Sequence, residues 1–178
     1  MPGPETMWEG RYIAAVRDGQ WEYVRRARAI RAVVIVAETD AGEILLVEQM
    51  RVPIGKRCLE LPAGLIGDDD GGEGDTVALA ARRELEEETG YRATAIVPLG
   101  EYYSSPGMVS EGFSLVRATG LTRVDEGGGV AGEDIVVHRV PRGEIADFVE
   151  AQRKRGLGID VKLLLLLGPN LLGPALLG

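Results

Sequence analysis

The 178-residue chain has one cysteine, Cys58, and one histidine, His138. A single cysteine forms no internal disulfide, and this pair matches no familiar spacing of zinc ligands. Disulfide scaffolds, zinc catalysis and Ser-His or Cys-His triads are therefore excluded together. Positive charge is also scarce: 20 lysines and arginines against 28 aspartates and glutamates leave a formal net charge of −8. Such a surface repels a phosphate backbone, which argues against a nucleic-acid partner. An acidic protein still binds an anionic small molecule where metal ions and a few arginines reverse the sign locally. Residues 1–10 lack a basic run followed by an apolar stretch, so no secretory signal or anchor is read there and a cytoplasmic protein is expected.

With 45% hydrophobic residues, the chain buries a sizeable core and fits a single domain over residues 1–178. Residues 1–28 are expected to be an N-terminal strand extension, and residues 163–178 an apolar helix and tail. That tail falls short of a bilayer span and is interrupted at Gly168-Pro169 and Gly173-Pro174. It reads as a core helix ending near Gly168, with the remainder packed on its own subunit or on a partner; no membrane span is expected. Apolar β-branched runs at 30–38 and 43–50 flank Thr39-Asp40-Ala41-Gly42 and predict a hairpin. A short extended piece follows at 58–62, then an Asp/Gly-rich loop at 68–75. Residues 76–89 predict a helix with Asp75 or Thr76 as N-cap and Gly90 as its terminator. Strands are expected near 93–103, 112–118 and 134–140, a helix at 142–154, and a mobile glycine-rich loop at 125–132.

On the predicted helix, Glu84, Glu87 and Glu88 stand at i, i+3 and i+4, three carboxylates on one face. Each like-charge neighbour costs a helix on the order of 0.2–0.5 kcal/mol, so the pattern needs a compensation. One is a solvated face with Arg82–Glu86 and Arg83–Glu87 as i,i+4 pairs. The other is a divalent cation. Mg²⁺ suits hard oxygen ligands and retains waters for chemistry on phosphates, and Mn²⁺ is a possible substitute.

The neighbouring sequence resembles the Nudix hydrolase family. Arg83-Glu84-Leu85-Glu86-Glu87-Glu88-Thr89-Gly90-Tyr91 matches the second half of its signature, Arg-Glu-aliphatic-any-Glu-Glu-any-Gly-aliphatic, with Tyr91 in the last apolar slot. The first half departs: 18 residues separate Gly64 from Arg83 where the pattern has thirteen, an insertion in the Asp/Gly loop. Glu73 and Asp75 both remain candidates for the first acid. The resemblance implies an α/β fold with a mixed β-sheet between helices. It also implies a metal shell of Glu84, Glu87, Glu88 and the Ala63 carbonyl.

Within the family, Leu59-Glu60-Leu61-Pro62-Ala63-Gly64-Leu65-Ile66, Gln49-Met50-Arg51 and Pro106 resemble the ADP-ribose pyrophosphatase (ADP-sugar diphosphatase) branch. That likeness implies cleavage of ADP-ribose to AMP and ribose 5-phosphate, with another nucleoside diphosphate sugar of the GDP-mannose type or an oxidised nucleotide as alternative substrates. A ligand-sensing domain without catalysis is a further alternative, disfavoured by the intact glutamates. Trp21-Glu22-Tyr23-Val24-Arg25-Arg26 resembles members in which two tryptophans sandwich the adenine, often across a homodimer with exchanged N-terminal strands. Trp8 and Trp21 are the candidates here, the plainer reading being ordinary packing anchors. Arg26 and Arg51 are candidates for phosphate or ribose, and Met108 and Glu111 complete the expected substrate contacts. Arg25 and Arg31 read as solvated. His138 alternates with apolar neighbours and reads as structural. The resemblance puts the general base at Glu133, also a metal ligand, with Glu87 or metal-bound hydroxide as the alternatives.

Overall fold

A computed structural model describes residues 3–28, 30–67, 75–130 and 132–172. The candidate acid Glu73, most of the Asp/Gly loop and the end of the apolar tail lie outside them. Strands β1 (Glu5–Glu9), β2 (Ile13–Asp18) and β3 (Trp21–Arg26) form an antiparallel sheet, in agreement with the expected N-terminal extension. It joins the main body where the Val24 N–H donates to the Met108 carbonyl and the Ser110 N–H to the Val24 carbonyl.

The main body has two four-stranded mixed sheets. One has the order β7-β4-β9-β8, from β7 (Ala63–Ile66), β4 (Arg31–Ala37), β9 (Gly112–Arg123) and β8 (Tyr91–Tyr103). The other has the order β10-β5-β6-β11, from β10 (Val136–Pro141), β5 (Glu43–Arg51), β6 (Lys56–Glu60) and β11 (Gly158–Ile159). Helix α1 (Val77–Thr89) packs on one side, and α2 (Ile145–Lys154) and α3 (Leu164–Leu172) on the other. The alternation of each strand divides its residues between two cores: Val33, Ile35 and Leu45 lie under α1 with Ala81 and Leu85, while Val34, Ile44 and Leu46 lie under α2 with Val149.

This two-sided burial corrects the expected hairpin. β4 and β5 belong to different sheets, and among the described residues their backbones pair at a single bridge between Glu38 and Ile44. A strand apolar on both faces sits inside a sheet and takes a neighbour on each edge. β4 therefore takes β7 and β9, β5 takes β6 and β10, and the turn after Glu38 carries the chain from one sheet to the other. The strand at 63–66, which the sequence shows only as a motif, supplies the β4 edge. At the other end α3 runs through Gly168 and Pro169 to Leu172 instead of stopping near Gly168. Burial of Leu163 and Leu167 in the core beside α2 anchors its first turns.

Helix α1 begins and ends as its sequence predicts. The Thr76 hydroxyl accepts from the Leu79 N–H, and Gly90 takes a left-handed conformation (φ 74°) as the terminator. The glycine-rich segment that follows β9 is where expectation and structure part. It is docked: the Gly128 N–H donates to the Glu88 carbonyl and the Gly129 N–H to the Glu87 carbonyl, satisfying free carbonyls of α1. Gly127 (φ 71°) lies so close that a Cβ there falls 2.4 Å from the Thr89 carbonyl carbon. Gly127→Ala is therefore expected to destabilise the fold by at least about 2 kcal/mol, combining left-handed backbone cost with a clash. Urea unfolding checks this, and an unchanged midpoint would mean that the segment does not dock on α1.

Candidate active site

A cleft of about 580 Å³ draws its walls from both four-stranded sheets, from α1 and from the docked glycine segment. Its size suits a nucleotide-sized ligand. The three glutamates predicted to share a helix face, Glu84, Glu87 and Glu88, all line it, with Glu133 on the facing segment and Ala63 and Gly64 on β7. The solvated-face explanation fails for Glu84 and Glu88, which are half-buried and buried, while Glu87 stays exposed at the cleft. Arg82 reaches the Thr94 carbonyl, Glu86 takes a two-pronged hydrogen bond from Arg92, and Arg83 turns toward β7, so neither expected i,i+4 pair is seen.

Glu88 is only 6% exposed, and its Oε2 accepts from the Ala63 N–H at 3.0 Å. Burial pushes its carboxyl up to about 8 against the stabilising Ala63 N–H, with the charges of Glu84 and Glu133 adding to the rise. Burial likewise raises the Glu84 carboxyl, opposed by the adjacent Arg83 guanidinium. The Glu84 side chain lies directly over Gly64, where any Cβ would fall 1.8 Å from the carboxyl carbon. Arg83 donates to Asp75 Oδ2 at 3.1 Å, to the Leu65 carbonyl at 2.9 Å and to Glu84 Oε1 at 3.3 Å. Asp75, one of the two candidates for the first acid, also accepts from the Gly67 N–H at 3.0 Å; the other, Glu73, lies outside the described residues.

The arginines expected to grip substrate are both at the cleft and both already oriented by carboxylates. Arg26 donates to Glu111, another predicted contact, and Arg51 makes two hydrogen bonds of 2.6 and 2.7 Å to Glu60. Glu60 is 3% exposed, so it fixes the Arg51 fork from behind. Nothing in the sequence beyond its place in the Leu59–Leu61 stretch had singled it out. Lys162, from the turn before α3, also faces the cleft while paired to Asp160, and the sequence offered no signal for it.

Three predicted contacts are not brought to this cleft. Trp8 and Trp21 are 58% and 66% exposed on the N-terminal sheet, and Met108 is 62% exposed, engaged there by its carbonyl. Arg25 and Arg31, expected to be solvated, form exposed ion pairs with Glu9 and Glu101. His138 is structural, its Nε2 3.1 Å from Glu48 Oε2 and its ring packed on Phe148.

Among the described residues, no three metal-ligating side chains are close enough to hold a cation as they stand. Glu84, Glu88 and Glu133 instead rest on Arg83, Ala63 and Val130 donors. Like charges converging on one cleft spread to whatever donors lie nearby. A buried carboxylate with no cationic partner in bonding contact is costly, so the all-oxygen donor set fits a hard divalent cation.

Residues 27–153 match the family model described as the NUDIX domain. Over 95 residues the chain is 39% identical to the ADP-ribose pyrophosphatase of Bacillus subtilis (strain 168), a match covering 53% of this chain and 49% of that protein. The chain thus spans about half the length of that relative. It is 34% identical over 170 residues to the GDP-mannose pyrophosphatase of Cronobacter sakazakii, covering 88% of this chain and 82% of that protein. A crystal structure of an ADP compounds hydrolase shares the fold, with a TM-score of 0.67 and 24% identity over 93% of this chain and 89% of that one. No described helix is long and apolar enough to cross a membrane. On the domain match and the extent of these similarities, the chain belongs to the Nudix hydrolase family.

Proposed function

We propose that the protein hydrolyses the diphosphate bond of an ADP-sugar, with ADP-ribose the preferred substrate, to AMP and ribose 5-phosphate in the presence of Mg²⁺ or Mn²⁺. The observation that carries this reading is the convergence of Glu84, Glu87, Glu88 and Glu133 with Arg26 and Arg51 in one cleft. Carboxylates for cations and guanidinium forks for phosphate are the two halves of a diphosphate site.

Ala63 through its carbonyl, with Glu84, Glu87, Glu88 and Glu133, would hold the cation. Bound there, a divalent cation neutralises charge on the diphosphate and lowers the pKa of the attacking water. Glu133 takes the proton of that water, whose oxygen bonds to phosphorus as the bridging P–O bond breaks. Two phosphate monoesters result, both mainly dianionic at neutral pH, and the released protons pass from Glu133 and product to solvent. Arg51, aimed by Glu60, and Arg26, aimed by Glu111, orient the diphosphate. Trp8 and Trp21 stack the adenine from the second subunit of a homodimer, a reading supported by their exposure and by neither of them lining the cleft of its own chain.

Cleavage of a GDP-mannose type substrate is the second reading, favoured by the similarity to the Cronobacter sakazakii protein along most of the chain. A panel of ADP-ribose, GDP-mannose and an oxidised nucleoside diphosphate, with products coupled to a phosphatase and released phosphate measured, separates the two. ADP-ribose is expected to give the highest kcat/KM. A higher value for GDP-mannose would replace the first reading with the second.

A further inference from the structure

Arg57 stands on β6 outside the cleft, yet its hydrogen bonds run to two elements that frame it. Its Nε donates to Glu48 Oε1 at 2.6 Å and its Nη2 to the Glu48 carbonyl at 2.9 Å, both on β5. The same Nη2 donates to the Asp134 carbonyl at 3.0 Å, and Nη1 to Asp134 Oδ2 at 2.7 Å. Glu48 is 7% exposed and takes a further contact from His138, so the strand side of this bridge is rigid. Asp134 directly follows Glu133. Upstream of Glu133, the segment is held to α1 through Gly128 and Gly129. Glu133 therefore sits between two clamps, one on the helix that carries Glu87 and Glu88 and the other on Arg57.

The Arg57–Asp134 pair is a poor source of stability, because the Asp134 side chain is 84% exposed and solvent screens such a pair. What four directional bonds from one planar guanidinium supply is geometry. We propose that Arg57 is a positioning residue, which fixes Glu133 in the cleft by gripping the backbone and side chain of Asp134. This rests on the reading of Glu133 as the base.

The test compares Arg57→Ala, Asp134→Ala, Glu133→Gln and the Arg57→Ala/Glu133→Gln double variant with ADP-ribose and Mg²⁺. Arg57→Ala is expected to lower kcat roughly 10- to 100-fold with KM within about threefold, the range seen when support of a reacting group is removed. Asp134→Ala, which keeps the backbone contact and its fold, moves kcat in the same direction by less. The double variant is no slower than Glu133→Gln, because the arginine acts only through that glutamate. Hydrogen exchange in a peptide spanning residues 128–136 speeds up in Arg57→Ala. Full kcat in both single variants at Arg57 and Asp134, multiplicative losses in the double variant, or unchanged exchange would overturn the proposal. If Glu133→Gln itself keeps full kcat, the base assignment fails and takes this proposal with it; a slow Glu133→Gln beside a fast Arg57→Ala removes only the positioning role.

Discussion

Replacing Glu88 with glutamine is expected to lower Mg²⁺-dependent turnover of ADP-ribose by about three orders of magnitude or more, while stabilising the metal-free protein in alkaline buffer. The two effects share one cause. Glu88 is a buried carboxyl whose folded-state pKa is raised to about 8. An acid with a raised folded pKa stabilises the fold fully below its unfolded value and loses that contribution as pH climbs through the folded one. Between pH 4.5 and 8 the metal-free wild-type protein therefore becomes progressively less stable relative to the glutamine variant, by up to a few kcal/mol at about 1.4 kcal/mol per pH unit. The substituted amide remains neutral and still accepts the Ala63 N–H. Thermal melts in EDTA at pH 8.5 are expected to show the variant melting higher. Addition of Mg²⁺ is expected to raise the wild-type midpoint and leave the variant's unmoved. A variant that melts lower in EDTA, or that turns over normally, would remove Glu88 from the metal shell.

The second large effect is expected from one methyl group. Gly64 has ordinary backbone dihedrals, so Gly64→Ala brings no left-handed strain, but its Cβ would fall 1.8 Å from Glu84 Cδ. The atom it meets is the end of a flexible side chain, which swings away while β7 and α1 stay in place. The carboxylate then leaves its position beside Arg83 and the cleft loses one of its oxygen donors. Turnover is expected to fall about 100-fold, with weakened Mg²⁺ dependence and a melting midpoint within a few degrees of wild type. Near-normal activity would show that Glu84 need not lie over β7, whereas a large fall in midpoint would make Gly64 a packing residue and not a site residue.

The features most legible in the sequence were those set by local chemistry. Helix α1, its Thr76 cap and its Gly90 terminator follow from neighbouring residues alone, and the face carrying Glu84, Glu87 and Glu88 follows from helical period. Whether that face met solvent or a cleft was not local information. Its exposure is decided by β7 and by the glycine segment, which contact Glu88 from 25 residues before and 40 after in the chain. The same limit explains the lost hairpin, since two continuous apolar strands reveal that both faces are buried but not which partners flank them. Residues 125–132 read as mobile because glycine composition reports freedom of the backbone and not the carbonyls waiting for it on α1. Arg51 was visible as a phosphate grip, yet Glu60, which aims it, looked like one polar residue in an apolar strand. Trp8 and Trp21 stand out by the family resemblance and by indole chemistry, neither of which carries the information that they do not line the cleft of their own chain.

Metal-assisted diphosphate cleavage is most directly tested by incubating the wild-type protein with ADP-ribose, with and without Mg²⁺, and separating the products by anion-exchange chromatography. Equimolar AMP and ribose 5-phosphate in the presence of Mg²⁺, and neither in EDTA, is the expected result. Intact ADP-ribose under both conditions, or equal cleavage without the metal, would contradict it.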